Sequence, residues 1–365
     1  MKIIETTDSR TGVRLWQLGD DPLFTNHFYT DNPSFSADGK QFIFMGGEDY
    51  FQQCDIFLCD IPSQSVTCIS PKKGIRAAVF SPVRPEVYFT IVKDGAFTLY
   101  RRPLHSKETS EVSRVEGIAK QYVLGAIDPA GGKYSTGLTR PDSVSAVIEI
   151  DLATGKIETI VAMPDVYNPH MNYSANGRWL SIQFNHAHRL VNDRFVRNTD
   201  PPGLKNLLRA WDRQKHELVD FPFGKAEKED IQGHQCWAGN EMLIAAVFRK
   251  DKGKGPGSLW AAKPGDPAAR LVSDAFDFRH PSATLDGKTI ACDEWVGKDI
   301  YMVDAATNHH ELLCHSRSFD WDKERNATSV STQVWHPHPT ISPDGRYVLF
   351  NSNRTGTPHA CVAIR

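Results

Sequence analysis

The sequence predicts an all-β protein, a seven-bladed β-propeller, and three observations predict it. A short turn sentence recurs seven times along 365 residues. Most copies lie roughly 45–50 residues apart, the length of a four-stranded blade. No long amphipathic helical pattern interrupts them.

The clearest copy is Ser342-Pro343-Asp344-Gly345 followed by the apolar run Tyr347 to Phe350. It recurs as Ser36-Ala37-Asp38-Gly39, Ser174-Ala175-Asn176-Gly177 and Thr284-Leu285-Asp286-Gly287, each before an apolar segment. Weaker copies begin at Phe80-Ser81-Pro82, Ile127-Asp128-Pro129 and Trp237-Ala238-Gly239. Asp-Gly and Asn-Gly favour the positive-φ turns that join antiparallel strands. A second signature follows in several copies: apolar alternation ending in Asp, as in Ile148 to Asp151 and Ile300 to Asp304. These read as third strands and their hairpins to the fourth.

The whole chain, 1–365, therefore reads as one propeller domain. Two spacings are long. His186 to Gln214, containing Asp200-Pro201-Pro202-Gly203, reads as an inserted loop too irregular for strands; Cys314 to Thr332 fills the other gap. Long connections on a rigid scaffold often carry the binding surface. In and just after the first, Arg189, Arg194, Arg197, Lys205, Arg209, Arg213 and Lys215 outnumber Asp193, Asp200 and Asp212, which suits an anionic ligand.

Composition narrows the function. Lys plus Arg number 42 against 44 Asp plus Glu, so no global field favours nucleic acid or a membrane surface. An anion must be caught by a local site. The N-terminus turns polar too early for a signal peptide, and no apolar stretch reaches the roughly 18 residues of a membrane helix. Seven scattered cysteines form no C-x-x-C pair. A cytoplasmic location is expected, and the oligomeric state is left open.

Histidine supplies the sharpest signal. Six residues before the turn Asp or Asn stand His170, His234, His280 and His338, in four successive copies, from a total of 14 histidines. First strands of propeller blades line the axis, so equivalent positions on neighbouring blades converge at one depth. Beside His338 lies Gln333-Val334-Trp335-His336-Pro337-His338. On an extended strand His336 and His338 share a face. With His280 and Gln333 they could hold a divalent metal through four neutral ligands. Spacing alone leaves a second reading, in which the imidazoles bond backbone carbonyls.

At these residues the chain resembles the oligogalacturonate lyases, a polysaccharide-lyase family with a seven-bladed propeller fold. The resemblance runs from Asp8-Ser9-Arg10-Thr11-Gly12 and His27-Phe28-Tyr29 to the Gln-x-x-His-x-His-Pro string and Leu349-Phe350-Asn351-Ser352. It implies a manganese-type ion held by His280, Gln333, His336 and His338. It further implies that His234 abstracts a proton and that Arg209 assists at the substrate. The chain departs from the family's pattern between His186 and Leu208, which bears on the sugar preferred. His170, His186 and Arg189 are candidate substrate contacts.

These residue types suit β-elimination of a small acidic oligosaccharide. The reaction removes the proton on C5, beside a carboxylate, and then breaks the C4–O bond. A cation and an arginine offset charge that develops on the carboxylate. A neutral histidine suits the base because its ordinary pKa lies near the operating pH. Two rivals remain: a non-catalytic propeller binding module and a metal-dependent propeller hydrolase. The first leaves the Gln333, His336 and His338 string unused; the second generally favours carboxylate ligands. No Gly-x-Ser-x-Gly elbow supports a serine hydrolase.

Overall fold

A computed structural model describes residues 1–30, 32–47, 54–70, 74–121, 124–163, 166–185, 188–191, 194–197, 206–223, 229–249, 257–295, 298–319 and 336–365. The described residues form seven antiparallel blades in a ring and one small hairpin, with no helix among them. Blade 6 shows the pattern: Ser282–Ala283, Thr289–Asp293, Asp299–Asp304 and His310–His315 pair in chain order. Blade 7 closes the ring with both ends of the chain. Its inner strands Thr340–Ile341, Tyr347–Ser352 and His359–Ile364 are completed by Arg14–Leu18, with Trp16 opposite Val362.

The recurrent turn is held by its own side chains. Ser342 Oγ donates to Asp344 Oδ1 at 2.7 Å, and Arg346 N donates to the same oxygen at 3.1 Å. Ser36 with Asp38, Ser174 with Asn176 and Thr284 with Asp286 repeat the first bond at 2.7–2.9 Å. The glycine is required at Gly287: its φ is +72°, and a Cβ there would lie 2.5 Å from the backbone carbon of Ala238 in blade 5.

Packing is between blades, which is why single blades cannot stand alone. Ile244, Phe248 and Leu259 of blade 5 interlock with Ile290, Cys292 and Val303 of blade 6. Ala291, Ile300 and Met302 of blade 6 meet Val348, Phe350 and Cys361 of blade 7. First strands line the axis and tie neighbours together: Trp237 Nε1 donates to Asn172 O at 2.8 Å, and Ile341 N to Ser282 Oγ at 3.1 Å. At the turn end the channel opens into a cavity of about 420 Å³ lined by Asn32, Phe35, Tyr173, Trp237, Pro82 and Pro343. The register histidines belong to the opposite end, where first strands begin.

The 186–214 segment is more regular than its sequence suggests. Leu207–Asp212 is the third strand of blade 4, with Arg209 opposite Ile182, and His188–Val191 pairs with Arg194–Arg197 in a hairpin. The strand signal was the alternation Leu208, Ala210, Asp212, all buried; the interleaved Arg209 and the fully buried charge of Asp212 disguised it. Asp212 is tolerated inside because Arg178 Nη2 approaches it at 2.7 Å. Most of the 314–332 gap lies outside the described residues.

Candidate metal centre

Three imidazoles converge at the mouth of the channel. Ligand-capable atoms of His280, His336 and His338 all lie within 4.8 Å of one another, and all three residues are buried. Different local devices bring them there. His280 stands just ahead of the first strand of blade 6. Its amide donates to Asp293 Oδ1 at 2.8 Å, and its Nδ1 lies 2.8 Å from Asp293 Oδ2. A proton on Nδ1 directed at this carboxylate leaves Nε2 as a lone-pair donor toward the cluster.

His336 and His338 do not sit on a strand, contrary to the expectation of an extended His-x-His grip. Pro337 and Pro339 have no N–H to give a ladder, and the first strand starts only at Thr340. His338 takes φ = +46°, a left-handed conformation that histidine enters more readily than most residues. The two rings nonetheless converge, with centroids 5.3 Å apart. Pro337 is held from both sides: its carbonyl accepts from Asn351 N at 2.8 Å and stands 3.3 Å from His27 Nε2.

His234 comes from blade 5. It lies within Glu229–Ala238 where the pairing register shifts between Ile231 and Gln235, a bulge that re-aims a side chain. Its ring centroid is 4.2 Å from that of His280. His234 Nδ1 and His338 Nε2 are both buried with no hydrogen-bond partner among the described residues. Leaving such atoms bare costs about 1–3 kcal/mol each, so their convergence signals a ligand. A divalent cation fits this donor set.

The electrostatics keep His234, His336 and His338 neutral. Burial, then the charge of His280, pushes His336 down to about 3 and holds His234 and His338 well below the usual histidine range. Burial also lowers His27 to about 4. Asp293 goes the other way: burial alone would raise it, but the charge and hydrogen bonds of His280 hold it below the ordinary carboxylate value.

Two predictions arise here. His27 is neutral in the fold down to about pH 4 but protonates near 6.5 when unfolded. Stability is therefore full above about pH 6.5 and falls toward pH 4, by up to about 1.4 kcal/mol per pH unit for this one residue. Urea midpoints between pH 7 and 4.5 should drop accordingly; a flat profile contradicts the assignment. Second, Asp293→Asn should weaken metal binding by roughly 10–100-fold, as loss of a partner behind a ligating histidine does. Equilibrium dialysis against manganese reads this directly.

The other predicted site residues are placed differently. His170 is buried with φ = +43°; its Nε2 lies 2.9 Å from Asn168 Nδ2, and its ring packs on Tyr29 at 5.3 Å. Tyr29 also packs on His338 at 4.9 Å, linking His170 to the cluster. Arg209 stacks on Phe184 at 4.6 Å with Nε 2.9 Å from Asp220 Oδ1, both in blade 4. Gln333 and His186 lie outside the described residues, as does the side chain of Arg189. The basic excess of 186–214 is partly spent on neighbours: Arg213 pairs with Glu149 at 3.1 Å and Lys215 with Glu217 at 3.4 Å.

Sequence reasoning missed Asp293, although a signal existed. Six positions after the turn glycine stand Asp293, Asn351 and Gln183 in blades 6, 7 and 4. This is the strand-two register facing the histidine approach. Asn351 N and Gln183 N bond the carbonyls of Pro337 and Pro169, one residue before each blade's histidine.

Fold and cluster together define a seven-bladed propeller with an imidazole-lined, metal-type centre at one end of its axis. The sequence is 20% identical to the oligogalacturonide lyase of Pectobacterium atrosepticum, over 98% of this chain and 94% of that one. Among solved structures, an oligogalacturonate lyase in complex with manganese superimposes with a TM-score of 0.77 at 18% identity, covering 100% of this chain and 96% of that chain. The oligogalacturonate lyase from Vibrio parahaemolyticus gives 0.76 at 18% identity with the same coverage. These similarities bear out the resemblance drawn from the motifs and the seven-bladed fold. No protein-family model matches the chain.

Proposed function

We propose that the protein is a metal-dependent lyase that cleaves short oligogalacturonides or related oligouronides by β-elimination, in pectin breakdown. The observation that carries this reading is the neutral His234, its ring 4.2 Å from that of His280, beside three imidazoles within 4.8 Å of one another. The similarity to lyases over nearly the full chain supports it.

In this reading His280, His336 and His338 hold a divalent cation, manganese by analogy with the lyase solved with that ion, and Gln333 adds a fourth ligand. A bound cation supplies positive charge toward the substrate carboxylate, where negative charge grows as C5 loses its proton. Asp293 fixes the His280 ring and its tautomer. His234 takes the C5 proton on its unpartnered Nδ1, and its lowered pKa keeps it able to do so in mildly acid conditions. The C5–H electrons form the C4–C5 double bond as the C4–O bond breaks, and the departing oxygen takes up a proton that protonated His234 returns directly or through solvent. Arg209 assists at the substrate, and His170, His186 and Arg189 contact the sugar.

The cytoplasm is the proposed compartment. All seven cysteines are free thiols, as a reducing environment requires, and no helix of the described residues is long and apolar enough to cross a membrane. Elimination consumes no water. Digalacturonate turned over in ¹⁸O-water should therefore yield products free of the label at the cleaved bond. Label at that position would mean hydrolysis and end the lyase reading.

A further inference from the structure

Arg279 is the arginine that the structure sets beside the histidine cluster. It immediately precedes His280, and only 13% of its side chain is exposed. Its guanidinium carbon lies 4.3 Å from the Phe248 ring centroid and 4.7 Å from that of Trp295. These two rings are neighbours of the chemistry: Phe248 is 6.4 Å from the His234 ring, and Trp295 is 4.7 Å from the His336 ring. Arg279 is thus wedged between a residue touching the proposed base and a residue touching a proposed ligand. Its charge is among those that disfavour protonation of both His234 and His336.

The guanidinium is held but not used up. Asp277 Oδ2 engages Nη2 at 2.9 Å, and Asp277 Oδ1 is itself fixed by Gly257 N at 2.7 Å. Arg279 Nε is buried with no hydrogen-bond partner among the described residues. A planar fork clamped by two aromatic rings and one carboxylate, its remaining N–H groups fixed in one plane, is preorganised for a second planar anion. Arg209 is likewise stacked and paired, but on Phe184 and Asp220 within blade 4, whereas the rings that hold Arg279 touch His234 and His336.

We propose that Arg279 binds the carboxylate of the uronate being cleaved and so positions its C5–H toward His234. The inference rests on the uronate-lyase reading of the site. The guanidinium reads the substrate's acid group, so its removal should be felt by the free acid and not by the neutral ester.

The test measures binding rather than turnover. Manganese-loaded protein is titrated calorimetrically with galacturonate and with its methyl ester, for wild type, Arg279→Gln and Arg279→Lys. Wild type should prefer the acid. Arg279→Gln should lose about tenfold or more in acid affinity, with ester affinity and metal content unchanged. Arg279→Lys, which keeps charge but not the fork, should recover only part of the loss. Acid affinity within about twofold of wild type in a folded, metal-loaded Arg279→Gln overturns the proposal. Should that variant fail to fold, Arg279→Lys decides: a loss of about threefold or more supports the assignment and an unchanged affinity overturns it. If wild type binds neither compound, the lyase reading falls first and takes this proposal with it.

Discussion

His234→Ala is expected to lower kcat by about 10²–10⁴-fold, the range that a positioned general base contributes. One divalent ion per chain should stay bound. The separation of the two effects follows from the geometry. His234 arrives from a bulge in blade 5, whereas His280, His336 and His338 come from blades 6 and 7 and lie within 4.8 Å of one another without it. Its ring packs on His280 at 4.2 Å and on Phe248 at 6.4 Å, so truncation opens space but removes no strut of the metal cluster. The measurement is steady-state kinetics with metal content determined on the same sample. Activity within tenfold of wild type would assign the base elsewhere.

The second large effect is expected at His338. His338→Ala should abolish both stoichiometric metal binding and turnover. The affinity loss should exceed the roughly 10–100-fold expected of an outer partner, since a direct donor is removed. His338 is the cleaner choice than His280. Truncating His280 would strand Asp293, a carboxylate 2% exposed, without the imidazole that compensates it. A buried charge left alone costs about 3–5 kcal/mol and confuses folding with binding. His338 Nε2 has no hydrogen-bond partner among the described residues, so its loss breaks no hydrogen bond at that atom. The variant should melt near the wild-type apo temperature and show no metal-dependent rise. A manganese-dependent stabilisation equal to wild type would remove His338 from the ligand set.

Much of this was legible because propeller geometry translates sequence period into spatial adjacency. Four histidines at one offset from their turns had to approach the axis at one depth, and the structure brings His234, His280 and His338 there. His170 keeps the offset but departs in role: in blade 4 its ring nitrogen bonds Asn168, and its carbonyl accepts from Gln235 Nε2 at 2.7 Å. Offset fixes where a side chain starts, and local partners decide what it does. The extended His-x-His grip failed for a backbone reason, since two prolines and a left-handed His338 replace the strand. Asp293 and Arg279 escaped notice because their significance is cross-strand or rests on ring contacts between blades. Arg279 has no period in the sequence, and Asp293 shares its register with different residue types, Asn351 and Gln183. Leu207–Asp212 escaped because charged residues sit inside its alternation, neutralised by Arg178, in the turn before the adjoining strand, and by Asp220 on the next one.

The central claim, that imidazoles from two blades hold a cation which drives uronate elimination, is tested most directly by stripping and restoring the metal. Purified protein treated with chelator and dialysed should form no unsaturated, ultraviolet-absorbing product from digalacturonate. Stoichiometric manganese should then restore the full rate. Equal rates before and after stripping, or no unsaturated product with manganese bound, would contradict the account.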